Sequence, residues 1–305
     1  MTTRTEFEYP SQGAGMIHAY RWAPEGTPIA VLQLVHGIAE HMLRYDDFAR
    51  YLNDRGVLVV AEDHMGHGKS SGSGAERYFA GGWLNAVGDT HALLRRTKAR
   101  FPDQPYFILG HSMGSFMTRT LLFTYPNSGL RGAVICGTGW QNGATLAAGR
   151  MLCALEQRRR GETQPSPLLN DLMFGSFNRK FPDAKTENDW ICADPAVVQA
   201  YTDDPLCGGS ASVGLAREML RGIGMIEKKK NLEAMPKDLP VFFIAGKSDP
   251  VGNMGKGVEK SAAAFRKAGM RHVELKLYDG RHEILNEKNH GEVYEDVWHF
   301  LEQQL

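Results

Sequence analysis

The sequence of 305 residues lacks several features that would assign it to a particular class of protein. It has no excess charge, because 35 Lys and Arg residues balance 35 Asp and Glu residues. This balance argues against nucleic acid or an anionic membrane as a binding partner. No apolar run approaches the length that spans a bilayer, and the N-terminus has no apolar segment typical of a signal peptide. We therefore expect a cytoplasmic protein without a transmembrane segment.

Cysteine is also scarce. The chain has four cysteines, and no two of them stand at the short Cys-x2-Cys spacing that is typical of zinc sites. In a chain of this length they are expected to be buried, reduced thiols. The four are Cys136, Cys153, Cys192 and Cys207.

Short apolar runs, typical of strands buried on both faces, alternate with helical patterns along most of the chain. This alternation predicts βαβ units and a mostly parallel sheet. Two earlier runs alternate apolar and polar residues around Gly13-Ala14-Gly15 and predict an antiparallel hairpin. The expected fold class is α/β, with an eight-stranded sheet flanked by helices. The predicted strands lie at 7–9, 17–22, 29–35, 57–61, 106–109, 133–136, 241–245 and 273–278.

The alternation stops at about Trp140 and resumes at Val241. The residues between them carry apolar stripes at helical spacing, which predicts a helical cap inserted after the sixth strand. We expect a core of residues 1–139 and 239–305, and a cap of residues 140–238. The basic runs 158–160 and 228–230 are interpreted as solvated helix ends, with transient contact between the cap and a lipid surface as the alternative.

One stretch carries the chemistry. The apolar run 106–109 leads into Gly110-His111-Ser112-Met113-Gly114, and a helical pattern follows. In a sharp turn between a strand and a helix, small residues two places either side of a serine let the two elements pass closely. Ser112 is therefore a candidate nucleophile. The alternative is a glycine-rich loop that happens to contain a hydroxyl group.

Two further residues follow later strands of the predicted sheet. Asp249 comes just after the run 241–245, and His282 comes just after the run 273–278. Alone, Asp249 could cap a turn and His282 could be a structural loop histidine. Together with Ser112 they stand in the chain order Ser, Asp, His, at the carboxyl edge of the sheet. Such a trio activates a serine hydroxyl, because imidazole accepts its proton and carboxylate orients the imidazole.

An oxyanion formed at such a serine needs hydrogen-bond donors. The residue after the nucleophile, Met113, offers one backbone N–H group. The loop after the third strand offers the second, since Gly37 lets the backbone turn so that the N–H group of Ile38 faces the site. His36 is interpreted as a histidine that braces this loop.

Asp63, His64 and His67 could suggest a metal site. The His-Glu-x-x-His spacing of metalloproteases is absent, so we expect these residues to pack a loop beside the site. No metal or cofactor is predicted.

Several motifs together resemble a known family. They lie at 34–45, 63–70, 110–114, 194–207, 246–251 and 281–283. The sequence resembles the α/β-hydrolases, and within them the monoacylglycerol lipase and lysophospholipase-like serine hydrolases of the S33 aminopeptidase type. The resemblance covers nearly the whole chain. It implies a triad of Ser112, Asp249 and His282 with Ile38 and Met113 as oxyanion donors. Met65 departs from the pattern, because the group usually has Arg there.

We therefore expect a serine hydrolase that cleaves a small ester with an acyl chain through an acyl-enzyme intermediate. A serine aminopeptidase or a thioesterase with the same triad is an alternative, and a non-catalytic binding module is another. An aminopeptidase would need carboxylates that hold a substrate ammonium group. Candidates for that role are Glu187, Asp189, Asp194, Asp203 and Asp204.

Overall fold

The computed structural model describes residues 3–71 and 81–305. Within these ranges the chain forms eight strands and ten α-helices, which alternate along most of its length. The strands are β1 Thr3–Pro10, β2 Met16–Ala23, β3 Ala30–Val35, β4 Val57–Glu62, β5 Tyr106–His111, β6 Gly132–Cys136, β7 Val241–Gly246 and β8 Val273–Tyr278. The helices are α1 Asp46–Asn53, α2 Trp83–Arg100, α3 Met113–Thr124, α4 Gly143–Arg160, α5 Pro167–Asn170, α6 Pro195–Asp203, α7 Val213–Ile226, α8 Lys229–Glu233, α9 Lys256–Lys267 and α10 His290–Glu302.

All eight strands join one sheet in the order β1-β2-β4-β3-β5-β6-β7-β8. From β4 to β8 the neighbouring strands are parallel, whereas β1 with β2 and β2 with β4 pair antiparallel. The predicted α/β class and mostly parallel eight-stranded sheet are confirmed, as is the antiparallel hairpin. Strand β8 differs from expectation, because it lies at the edge of the sheet and most of its residues are only partly buried.

Both faces of the sheet are covered, which explains the nearly continuous apolar sequence of the central strands. One hydrophobic core joins α2, α3, α7 and α9 to the sheet, and a second joins α1 and α10 to it. Strands β3 to β7 are buried at every residue. The carboxyl ends of these parallel strands therefore meet at one edge, the place where open α/β sheets bind ligands.

Helices α4 to α8 lie in the segment between β6 and β7, where the sequence predicts a helical insertion. Helix α7 joins this segment to the core, since Leu215, Met219 and Ile223 pack in the same cluster as Phe116 of α3. The apolar stripe at 168–177 forms only the short helix α5 and a π-helical turn, Asp171–Gly175. The domain limits at 139 and 239 stay a prediction.

All four cysteines are buried and free, as predicted. Across the described ranges, none of the helices combines the length and the apolar character that crossing a membrane requires. Met65 packs against a cluster beneath the β1–β2 hairpin, with its methyl carbon near Gly15.

Candidate active site

Ser112 lies between β5 and α3 in a backbone conformation that few non-glycine residues adopt, with φ of 54°. The glycines on either side make this turn possible. A Cβ atom on Gly110 would lie 2.3 Å from the carbonyl oxygen of Gly114, and one on Gly114 would lie 2.0 Å from that of Val35. A conformation of this kind costs about 1–3 kcal/mol and is typical of functional turns. The chain therefore strains its backbone at Ser112.

Asp249 and His282 meet although they are far apart in the sequence. The Oδ1 atom of Asp249 lies 3.0 Å from Nδ1 of His282, and both side chains are buried. The backbone N–H group of Val251 also donates to Oδ1 of Asp249, at 2.8 Å, which fixes the carboxylate. Because Nδ1 of His282 faces the carboxylate, the other ring nitrogen, Nε2, is left to exchange a proton with a reacting group.

Ser112 and His282 line the same cavity, which has a volume of about 890 Å³. Ile38 and His111 line it too. The ring of Trp190, which lies in the segment between β6 and β7, is 5.1 Å from that of His282, measured between centroids. The structure thus brings together the three residues that the sequence analysis singled out as a triad.

The two candidate oxyanion donors flank Ser112. Met113 is the first residue of α3, so its N–H group has no acceptor within the helix. The loop that carries Ile38 also approaches Ser112 closely, since a Cβ atom on Gly37 would lie 3.0 Å from Cβ of Ser112. The N–H group of Gly37 itself donates to Oε1 of Glu40, at 2.6 Å. Ile38 and Met113 line a second cavity together with Ser112.

His36 braces this loop, as the sequence predicts. Its Nε2 atom accepts a hydrogen bond from the backbone N–H group of His64 at 3.0 Å, and its ring stacks on that of His64 at 4.0 Å. Burial holds the pKa of His36 well below its usual value. The oxygens of Asp63 accept hydrogen bonds from the N–H groups of Met42 and Lys69. These residues therefore connect the loops after β3 and β4.

The sequence analysis missed a buried network of charged residues behind the site. Arg44 donates to both carboxylate oxygens of Glu283, at 2.5 and 2.6 Å, and to Oε2 of Glu40 at 3.0 Å. The other oxygen of Glu40 accepts from the hydroxyl of Tyr45 at 2.9 Å and lies 3.1 Å from Nδ1 of His111. Glu40 and Arg44 stand four residues apart, a spacing that favours an ion pair, but Glu283 is remote in the sequence and gives no such signal.

Burial opposes the charges on Arg44, Glu40 and His111, and the pairing of these groups outweighs it. The pKa of Arg44 is raised well above its usual value because the carboxylate of Glu283 offsets the burial of the guanidinium group. The pKa of Glu40 is lowered well below its usual value, since His111 and Arg44 offset its burial. Glu40 in turn raises the pKa of His111, although burial lowers it. All three shifts favour the ionised forms.

Comparison with known proteins shows that this chain is similar to several hydrolases. A family model described as "Serine aminopeptidase, S33" (Hydrolase_4) matches residues 26–289. The chain is 28% identical over 311 residues to a monoacylglycerol lipase of Mycolicibacterium smegmatis, covering 100% of this chain and 99% of that protein. A carboxyl esterase of Bacillus coagulans, solved in complex with glycerol, superposes with a TM-score of 0.91 at 29% identity, covering 99% of both chains. The open form of a lipase superposes with a TM-score of 0.85 at 30% identity over 99% of both chains. The chain therefore belongs to the serine aminopeptidase S33 (Hydrolase_4) family and is a hydrolase with the α/β-hydrolase fold.

Proposed function

We propose that this hydrolase cleaves carboxylic esters of an acyl chain, with Ser112 as nucleophile, His282 as general base and Asp249 as the residue that orients it. One observation carries this proposal. Ser112 occupies a strained turn and lines the same cavity as His282, whose Nδ1 atom lies 3.0 Å from the Asp249 carboxylate.

The mechanism follows from these positions. The oxygen of Ser112 attacks the ester carbonyl carbon while Nε2 of His282 takes the hydroxyl proton. The N–H groups of Ile38 and Met113 bind the resulting oxyanion, and each donor contributes about 3 kcal/mol to the transition state. The alcohol leaves with the proton from His282, and an acyl-enzyme remains. Water, deprotonated by His282, then attacks the acyl carbon and releases the acid and the free serine.

The cavity beneath helices α4 and α7 supports an apolar acyl group. Its volume is about 870 Å³, and it begins at Ser112. Apolar side chains of the cap segment, among them Leu152, Met173, Met219 and Leu220, form much of its wall. Methionine side chains adapt to ligands of different shape, so this cavity suits a flexible chain.

The first cavity suits a polar alcohol on the other side of the ester. Amides and hydroxyls line it, including Asn170, Asn188 and Ser210. Four carboxylates line it, those of Glu40, Asp171, Glu187 and Glu283, of which the first and the last pair with Arg44. The ammonium group of Lys185 lines it too, so negative charge exceeds positive charge. This balance favours a neutral polyol such as glycerol over the phosphodiester of a lysophospholipid. We therefore propose a monoacylglycerol as the substrate class.

The carboxylates that an aminopeptidase would need are mostly engaged elsewhere. Asp189 accepts hydrogen bonds from Thr186, and Asp194 caps helix α6. Asp204 pairs with His41. Of the five candidate carboxylates, Glu187 alone lines the described part of the cavity. This arrangement removes four of the five carboxylates singled out for an ammonium group, and an arylamide substrate tests whether Asp171 and Glu187, which line the cavity, can hold one.

The cap segment also offers an apolar surface for transient contact with lipid. Met151 is 75% exposed and Leu155 is 50% exposed on helix α4, and Leu168 and Leu172 are exposed nearby. Arginines 158–160 end the same helix. We propose that a cytoplasmic enzyme uses this surface to reach substrate dissolved in membranes or micelles.

A panel of substrates tests the proposal. Initial rates are measured with monoacylglycerols, lysophospholipids, acyl thioesters and amino-acid arylamides that share one acyl length where the chemistry allows. We expect kcat/KM for monoacylglycerols to exceed that for lysophospholipids and arylamides by at least about tenfold, a difference of 1.4 kcal/mol. Faster turnover of the arylamide would support the aminopeptidase instead, and faster turnover of the thioester would support the thioesterase.

A further inference from the structure

Three side chains of different chemistry converge at the junction between the loop after β3 and the cap segment. One nitrogen of His41, one oxygen of Asp204 and the sulfur of Cys207 all lie within 4.8 Å of one another. His41 and Cys207 are buried, whereas Asp204 is partly exposed and leaves a path from solvent. None of the three has a role in the proposed ester hydrolysis.

We propose that His41, Asp204 and Cys207 bind a divalent transition-metal ion of the Zn²⁺ type. Imidazole nitrogen, carboxylate oxygen and thiolate sulfur are the three ligand types that zinc takes in proteins, at about 2.0–2.3 Å. Around a tetrahedral ion such ligands stand about 3.3–3.8 Å apart, by the geometry of those bond lengths. Closing the longest separation in the cluster requires a movement of about 1 Å, and water fills the fourth position.

Charge around the cluster also favours a cation. Arg44, Glu40 and Glu283 lie near Cys207, and the guanidinium of Arg44 pairs with both of these carboxylates. Together with the ligand Asp204, these groups carry more negative than positive charge. Burial strengthens their effect on an ion that loses its water shell.

The hydrogen bond that now joins His41 to Asp204 is the competing arrangement. Their Nε2 and Oδ2 atoms lie 2.9 Å apart. The other nitrogen of His41, Nδ1, is buried without a hydrogen-bond partner in the described part of the chain. A metal ion would insert between the two side chains and take Cys207 as a third ligand, whose thiol releases its proton to solvent as the Zn–S bond forms.

The proposed site lies between the loop after β3 and the segment after α6, which hydrogen bonds to Ala39 already join. The hydroxyl of Tyr201 and the N–H group of Gly208 both donate to the carbonyl oxygen of Ala39, at 2.8 Å each. A bound ion would add a coordinate bond on the same junction, between the loop of residues 36–41 and the segment after α6. We therefore expect metal binding to stabilise the folded protein.

The test uses the full-length, tag-free chain after dialysis against a chelator. Zn²⁺ is titrated in competition with a chromophoric chelator, the bound metal is counted by elemental analysis, and the melting temperature is followed. Cys207→Ala and Asp204→Asn remove one ligand each. Cys192→Ala is the matched control, because Cys192 is also a buried, free cysteine between β6 and β7 but lies outside the cluster.

We expect one Zn²⁺ per chain in the wild type and in Cys192→Ala, with Tm raised by about 3–5 °C at a hundredfold excess over Kd. Cys207→Ala and Asp204→Asn should each weaken binding at least tenfold. Asp204→Asn keeps a hydrogen-bond acceptor for His41, so this variant still removes a metal ligand from a folded protein if Cys207→Ala folds poorly. Absence of binding in the wild type, or equal affinity in either ligand variant, overturns the proposal. The same titration in Ser112→Ala separates this site from the proposed catalysis.

Discussion

The Nε2 atom of His111 lies 3.3 Å from the backbone carbonyl oxygen of His282. His111 directly precedes the proposed nucleophile, and its Nδ1 atom is held by Glu40 at 3.1 Å. The same imidazole thus contacts the loop after β3 on one side and the loop that carries His282 on the other. We infer that His111 positions the proposed general base relative to Ser112.

Replacing His111 tests this positioning role. We expect His111→Ala to lower kcat about tenfold to a hundredfold, because a displacement of about 1 Å at a reacting group costs that much. KM should change less than kcat, since His111 does not line the cavity proposed for the acyl group and contacts the loop that carries His282. His111→Gln keeps a hydrogen-bond donor and should recover part of the loss. Equal kcat in the wild type and His111→Ala would contradict the assignment.

Replacing Gly37 tests whether the loop that carries Ile38 must approach Ser112 closely for catalysis. A Cβ atom there would lie 2.6 Å from Oε1 of Glu40 and 3.0 Å from Cβ of Ser112. We expect Gly37→Ala to push the loop away and lower kcat/KM for an ester about a hundredfold, as the loss of an oxyanion donor does. Gly143→Ala is the control, because a Cβ atom at Gly143 meets nothing within 4 Å. Similar activities of the two variants would count against the proposed role of Ile38.

Replacing Met219 tests whether the apolar cavity at Ser112 holds the acyl chain of the substrate. Its side chain lines the apolar cavity at Ser112, whereas Met151 on α4 is 75% exposed. We expect Met219→Trp to shorten the longest acyl chain that is cleaved efficiently, because the indole fills part of the cavity. Met151→Trp should leave the chain-length profile unchanged. Rates with esters of increasing acyl length provide the measurement, and an unchanged profile in Met219→Trp would place the acyl chain elsewhere.

The buried carboxyl group of Asp89 is expected to make the free energy of unfolding depend on pH. Burial raises the pKa of its carboxyl group to about 6. The folded protein then binds more protons than the unfolded chain between the usual Asp pKa and about 6, so the free energy of unfolding should fall as pH rises through that range. Asp89→Asn should remove this contribution, as measured by urea unfolding at several pH values. The exposed Asp103→Asn serves as control, and an unchanged slope in Asp89→Asn would refute the assignment.

The sequence predicts the sheet well because its central strands are buried on both faces. The apolar runs that form β3 to β7 have few alternative interpretations. The spatial order of the strands does not follow from such runs, since β4 lies between β2 and β3 although it follows both in the chain. Chain order and strand ends predict that Ser112, Asp249 and His282 lie together, and in the structure Asp249 contacts His282, which lines one cavity with Ser112.

The parts that the sequence did not predict depend on contacts between remote residues. The ion pair of Arg44 with Glu283 spans 239 positions, and no short-range spacing in the sequence predicts it. The pairing of His41 with Asp204 spans 163 positions. The short turns after α5 also escaped prediction, because the apolar stripe there continues across Gly175 although the helix does not.

Covalent labelling of Ser112 tests the central claim most directly. The wild type is treated with a fluorophosphonate, digested and examined by mass spectrometry, alongside Ser112→Ala and Ser115→Ala. Ser115 is the matched control, a buried serine in the first turn of α3 whose hydroxyl donates to the carbonyl oxygen of Ser112. We predict one adduct on Ser112 in the wild type and in Ser115→Ala, and none in Ser112→Ala, together with a loss of kcat of at least about 10³-fold. An adduct on another serine, or ester hydrolysis at the wild-type rate by folded Ser112→Ala, would contradict the account.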